Sequence, residues 1–304
     1  MTEPVDPAPA AVAPDAGAQL RAFARDIKLS HTIFALPFAL SAAWLVSRAQ
    51  PVPWTDWLWI LVAMVGARSS AMGMNRIADR RIDAANPRTA DRELASGRLT
   101  TRWAWGLTLG SGALLVLAAG LLHPLALQLS PLVLLWLWGY SFAKRFTALC
   151  HIWLGVALGL SPVCVWIALT GAVEPAAWVM GAIIATWVGG FDILYALQDE
   201  AYDSDVGLNS MPAWLGAERA LRVSEGLHLA TVGLLIALPL VLSEAMALGW
   251  PYAVGATAIL GILLWEHRLV KPGDLSQMNK AFFQANSFVS VIFLLSVLAA
   301  SAVG

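Results

Sequence analysis

Charge is what this sequence has least of. Only 13% of its 304 residues are Asp, Glu, Lys or Arg, while 59% are hydrophobic and the mean hydropathy is +0.68. That balance excludes an ordinary soluble domain. The 19 basic and 20 acidic residues leave a formal net charge of −1, so nucleic-acid binding has no electrostatic support. Cysteine is nearly missing too: Cys150 and Cys164 stand in neither a metal nor a redox spacing, which excludes a disulfide framework. The alternating ten-residue strands of an outer-membrane barrel are also lacking. The N-terminus lacks the basic start and short apolar centre of a cleavable signal peptide, so the first long apolar run is expected to be retained as a span. Residues 1–18, rich in Ala and Pro and without an apolar period, predict a flexible tail ahead of a single membrane domain over 19–304.

What is present in quantity is long apolar runs, of a length suited to helices crossing a hydrocarbon core roughly 30 Å thick. They lie near 31–47, 57–75, 103–122, 125–142, 151–170, 176–196, 225–242, 251–266 and 281–303. The expected fold is an all-α integral membrane protein, a bundle of nine transmembrane helices around a central polar cavity. Threading the nine runs alternately across a bilayer sorts the basic residues. Of 19, Arg48 falls on one side, Arg68 inside a span, and the other 17 on the side of the N-terminus and the loops 76–102, 143–150, 197–224 and 267–280. The positive-inside rule makes that side cytoplasmic. Trp is abundant at 15, and Trp54, Trp57, Trp59, Trp103, Trp105, Trp178 and Trp250, near run ends, are read as interfacial anchors.

Two acidic clusters carry the chemistry. Asn75, Asp79 and Asp83 recur every four residues at the end of an apolar run, which on a helix puts three oxygen ligands on one face. Asp199 and Asp203 repeat the spacing after another run. Four aspartates in one region repel each other unless cations lie between them. All-oxygen ligands favour a hard cation, and Mg²⁺ binds through one or two carboxylates together with substrate phosphates. The pattern therefore predicts two Mg²⁺ ions, one per cluster, clamping a substrate diphosphate as a leaving group. Arg76, Arg80, Arg81, Arg88, Arg92, Arg98 and Arg102 crowd the loop beside the first cluster; guanidinium forks suit phosphate oxygens, and two or three are expected to touch substrate.

Two ionisable residues lie deeper. Arg68 and Asp192 each precede a cluster by seven residues, nearly two turns, and shifting the chain by 124 positions lays Arg68, Asn75 and Asp79 on Asp192, Asp199 and Asp203. A charge at the centre of a membrane helix costs roughly 2.5–3.5 kcal/mol on insertion scales. One reading pairs the two with each other or with backbone to offset that cost. The other has them line a polar pocket beneath the diphosphate, with Arg68 forking onto a substrate carboxylate.

The two clusters resemble the motifs NxxxDxxxD and DxxxD of the UbiA superfamily of intramembrane prenyltransferases. The run from Asn86 to Thr100 is similar to the family's NPRTxxRxLxxGxxS segment, and Lys144-Arg145-Phe146-Thr147, Tyr195-Ala196, Gly207 and Ser210 fit as well. Ile27 to Pro37 and Asn279 to Asn286 are similar to its first and last spans. Asp205 and Asn209 depart from the pattern, the latter standing where many members have a basic residue.

The resemblance is nearest to the branch that prenylates 4-hydroxybenzoate in quinone synthesis. It implies a multi-pass protein of the bacterial inner membrane whose two motifs bind a polyprenyl diphosphate through Mg²⁺. The diphosphate ionises to an allylic cation, an aromatic acceptor such as 4-hydroxybenzoate attacks it, and a proton is lost. It assigns catalysis and metal binding to Asp79, Asp83, Asp199 and Asp203, with Asn75 as a further ligand. Substrate contacts fall to Arg68, Asn75, Arg88, Arg92, Lys144, Arg145, Asp192 and Tyr195. A naphthoate acceptor of the menaquinone route, a haem O or chlorophyll synthase type of reaction, and, in a different class, a transporter using Arg68 and Asp192 are the competing readings.

Overall fold

The computed structural model describes residues 15–28, 35–270, 277–278 and 284–303. Among these residues every regular element is helical, as the apolar runs predict. The helices are α1 (Ala16–Asp26), α2 (Leu36–Ala49), α3 (Trp54–Ala85), α4 (Thr101–Leu122), α5 (Pro124–Ala143), α6 (Cys150–Thr170), α7 (Pro175–Ala196), α8 (Glu200–Asp205), α9 (Met211–Leu215), α10 (Ala217–Val241), α11 (Trp250–Leu269) and α12 (Asn286–Val303).

Each expected apolar run meets one of these helices, and among the described residues seven are long and apolar enough to cross a membrane by length and composition: α3, α4, α5, α6, α7 with its continuation to Asp205, α10 and α12. Described residues of the first run form the shorter α2, of 14 residues. α11, of 20 residues, carries Glu266, His267 and Arg268 in its last turn. Leu132, Leu135, Leu229 and Leu240 face outward, the surface a lipid-facing bundle presents, and Trp54, Trp105, Trp178 and Trp250 are exposed near helix starts.

α1 begins at Ala16, at the inner end of the expected tail over 1–18, and residues 1–14 lie outside the described residues. Asp15 caps α1, accepting from the backbone N–H of Gly17 and Ala18 at 3.2 and 3.1 Å. Gln19, Ala22, Phe23 and Asp26 form its buried stripe, an i, i+3, i+4, i+7 pattern of mixed polarity.

Backbone proximity fixes the centre of the bundle. α6 and α7 make one of the largest interfaces, together with α3–α4 and α7–α10. A Cβ on Gly155 would collide with the Ala185 carbonyl and one on Gly159 with the Gly181 carbonyl, while one on Gly181 would stand 2.8 Å from the Gly159 oxygen. Small residues let membrane helices touch backbone to backbone, where lipid supplies no hydrophobic drive. Beside this seam Trp187, Phe38 and Phe293 are fully buried; Phe38 stacks on Phe293 at 4.5 Å and tilts against Trp187 at 5.5 Å. Gly159→Val should therefore push α6 from α7 and destabilise the protein by about 1–3 kcal/mol or more, as overpacking does. A fall in the unfolding midpoint in detergent checks this, and an unchanged midpoint would refute the seam.

Candidate active site

The first cluster sits in an unbroken helix. α3 runs for 32 residues, so Asn75, Asp79 and Asp83 do share one face, and all three are buried. The second does not continue its helix. α7 stops at Ala196, Leu197–Asp199 form a tight 3₁₀ turn, and α8 starts at Glu200, so Asp199 and Asp203 straddle a junction. Tyr202 closes the gap between the halves by donating its hydroxyl to the Ile82 carbonyl at 3.1 Å.

The two clusters face one cavity of about 180 Å³. Asn75, Asp79, Asp83, Arg88, Arg92, Lys144, Asp192, Tyr195, Asp199 and Asp203 all line it. Its size is below the roughly 300–1,000 Å³ that encloses a whole drug-sized ligand, so it suits a polar head group and leaves a long apolar tail outside. Its walls are ion pairs. Asp79 meets Lys144 at 3.0 Å and Arg145 at 2.9 Å. Arg92 donates to both oxygens of Asp83, at 2.7 and 2.8 Å. Arg88 forks onto both oxygens of Asp199 and reaches the Tyr195 hydroxyl at 3.2 Å. Burial works against the Arg88 charge, but the Asp199 carboxylate outweighs it and holds the guanidinium above its ordinary value. Asn75 donates to Asp79 at 3.3 Å and accepts from Arg76 at 3.1 Å.

Two expected residues stand apart from the cavity wall. Arg145 lies behind it, bonded to Asp79 and to the carbonyls of Ser141 and Ala78. Arg68 and Asp192 do not meet. Arg68 donates to the Lys28 carbonyl at 3.3 Å, and its buried Nε has no partner among the described residues. Asp192 pairs instead with His151, at 2.7 Å. Of the seven loop arginines two, Arg88 and Arg92, line the cavity; Arg80 bonds Thr101 and Arg98 bonds Glu93. Asn209, the departure from the motif, holds the Lys144 carbonyl through its backbone N–H at 2.7 Å.

Sequence reasoning missed three members of this architecture. His151 lies within an apolar run, where an ionisable side chain is itself a signal. Asn86 donates to Asp199 at 3.4 Å and supports the Arg88 backbone N–H. Asp26 on α1 accepts from the backbone N–H of Glu93 and Leu94 at 3.0 and 3.3 Å, and Arg76 donates to its carbonyl. With Gln19, bonded to the Arg98 carbonyl and the Thr100 N–H, it ties α1 to the loop carrying Arg88 and Arg92.

Among the described residues no three His, Cys, Asp or Glu side chains are gathered into a ready metal cage. The cavity offers paired carboxylates facing basic groups, an arrangement that recognises a polyanion and can compensate charge as it departs. The model described as the UbiA prenyltransferase family matches residues 35–294. The chain belongs to that family. It is a multi-pass membrane prenyltransferase. A relative from Thiobacillus denitrificans, called 4-hydroxybenzoate octaprenyltransferase, is 32% identical over 257 residues, covering 84% of this chain and 85% of that one. The solved apo structure of a UbiA homologue from Aeropyrum pernix is 34% identical, with a TM-score of 0.79 over 89% of this chain and 98% of that one. A UbiA homologue from Archaeoglobus fulgidus, solved bound to DMAPP and Mg²⁺, shares the fold at 19% identity, with a TM-score of 0.70 over 93% and 99% of the two chains.

The α1 tie is testable. Asp26→Ala strands two backbone donors and should cost about 1–3 kcal/mol. It should also speed tryptic cleavage after Arg88, Arg92 and Arg98; unaltered cleavage would show that α1 does not hold the loop. Burial raises the Asp26 carboxyl above its ordinary value despite the nearby Arg76. A folded-state value above the unfolded one gives stability that is present below the ordinary Asp range and lost as pH rises through the raised value. Asp26→Asn should flatten that decline.

Proposed function

We propose that the protein transfers a polyprenyl group from its diphosphate to an aromatic acid of the 4-hydroxybenzoate kind, in a Mg²⁺-dependent reaction of quinone synthesis. The observation that carries this reading is the meeting of four aspartates, from motifs 120 positions apart, with Arg88, Arg92 and Lys144 around one head-group-sized cavity. The names of the curated relatives and the ligands in the Archaeoglobus fulgidus structure support it. The donor set fits the ion: all oxygen, split between two sides of a cavity, and short of a closed cage without phosphate oxygens. Asn75, Asp79 and Asp83 would hold one Mg²⁺, and Asp199 and Asp203 a second. Such ions supply charge neutralisation of the leaving diphosphate.

The chain's own residues do the rest. Arg88, Arg92 and Lys144 exchange their carboxylate partners for diphosphate oxygens, so the anion is held by groups already in place. Arg68, with its buried Nε unpartnered among the described residues, is assigned the carboxylate of the acceptor. The polyprenyl tail lies outside the cavity against apolar helix faces. The cavity mouth and the basic loops face the cytoplasm, following the distribution of Lys and Arg.

Membranes containing the protein, incubated with geranyl diphosphate and a panel of phenolic and naphthoic acids, should yield a prenylated 4-hydroxybenzoate. The product should vanish on chelation of Mg²⁺ and in Asp79→Ala or Asp199→Ala, while the variants still insert. Activity retained by either variant refutes the metal assignment, and a naphthoate product moves the acceptor to the menaquinone route.

A further inference from the structure

His151 and Asp192 line the cavity outside both aspartate motifs and the basic cluster, and they are bonded to each other. The Nδ1 of His151 lies 2.7 Å from the Oδ2 of Asp192, and its Nε2 accepts the backbone N–H of Met211 at 3.2 Å. A neutral imidazole has one donor nitrogen and one acceptor nitrogen. The backbone of α9 takes the acceptor, so the ring proton sits on Nδ1 and is donated to Asp192. The tautomer is thus set by main-chain geometry. The His151 side chain is 5% exposed while that of Asp192 keeps 24%, and the carboxylate opens into the cavity with no hydrogen bond to its Oδ1 among the described residues. Asp192 stands on α7 seven residues before Asp199, with the 3₁₀ turn Leu197–Asp199 between them, and both line the same cavity. The cations around the cavity are committed elsewhere, Lys144 and Arg145 to Asp79, Arg92 to Asp83 and Arg88 to Asp199.

A free carboxylate oxygen below the diphosphate, on a side chain locked by its other oxygen, has the placement of a general base. We propose that Asp192 accepts the ring proton that the aromatic acceptor loses, with His151 as the residue that positions it. This rests on the proposed prenylation of an aromatic ring. In the step, the allylic C–O bond breaks and its electron pair leaves with diphosphate. A ring carbon forms the new C–C bond using a π pair. The C–H pair at that carbon then restores aromaticity as its proton passes to Asp192 Oδ1. His151 donates its Nδ1–H throughout and exchanges no proton. A base placed this way contributes on the order of 10²–10⁴-fold.

The test uses the full-length protein in membranes, with Mg²⁺, geranyl diphosphate and 4-hydroxybenzoate that is unlabelled or deuterated beside the hydroxyl. Asp192→Asn should lower kcat by about 100-fold or more with KM little changed. It should also bring out a primary deuterium isotope effect absent from the wild type, because proton loss has become limiting. His151→Phe should show the same isotope signature with a smaller loss, and His151→Gln, whose amide can still donate to Asp192, should recover part of the rate. Full activity in Asp192→Asn, or a loss without the isotope effect, overturns the assignment. Absence of any prenylated aromatic acid from the wild type defeats the proposed function instead. The pair is then judged by ¹⁵N spectra of histidine-labelled protein, where an Nδ1–H tautomer at His151 that depends on Asp192 supports it and an Nε2–H tautomer refutes it.

Discussion

Several carboxylates can share one small cavity of a membrane bundle because most of their charges are answered nearby. Asp79 is answered by Lys144 and Arg145, Asp83 by Arg92 and Asp199 by Arg88. Removing one partner of such a buried pair leaves an uncompensated charge, so the basic loops are as constrained as the motifs they face. This explains why the polar connection between α3 and α4 is not loose. It is tied to α1 through Asp26 and Gln19, to α3 through the Thr89 hydroxyl on the Asp83 carbonyl at 3.0 Å, and to the second half through Arg88. On the proposed reading the same cations turn from carboxylate to diphosphate when the substrate binds.

The three positions that overlay at a shift of 124 take different surroundings in the two halves of the chain. Both halves place a deep ionisable residue seven positions before a motif, yet Arg68 turns toward the carbonyl of Lys28 while Asp192 opens into the cavity. The local backbone differs in parallel. α3 carries its three motif residues in regular helix, whereas the second motif spans a 3₁₀ turn and the start of α8. Breaking α7 there swings Tyr202 onto the end of α3, which a straight helix ending in solvent would not do.

The helical spans, the two motifs and their convergence were legible because they depend on local regularities: run length, four-residue spacing and charge asymmetry. Ten of the twelve residues assigned to the site from sequence line the cavity. What could not be read depends on contacts across elements. Nothing in the spacing pairs Asp192 with His151 over Arg68, since 41 positions separate the two. Nor could composition mark α1 as structured, because its buried stripe includes Gln19 and Asp26, whose partners are backbone groups of a distant loop. Arg145 was expected at substrate and instead stands behind Asp79, a distinction that depends on where a helix ends more than on residue type.

α7 carries Asp192 and leads into Asp199, so its register bears directly on the site, and it is pinned on three sides. Gly181 and the Ala185 carbonyl press against glycines of α6. The Trp187 indole donates to Asn286 of α12 at 2.9 Å, and Asn286 donates to Glu266 of α11 at 2.8 Å. His228 of α10 lies 3.2 Å from the Trp187 carbonyl and 2.8 Å from His267, in a space that opens only because position 190 is glycine. Apolar packing alone lets membrane helices slide, whereas a directional polar contact selects one rotation and one depth. Trp187 is five residues from Asp192, so a shift of one residue there would carry the carboxylate about 100° around the helix and out of the cavity. The buried polar cluster of α10, α11 and α12 thus serves the site without touching it, by fixing the helix on which the deepest carboxylate rides.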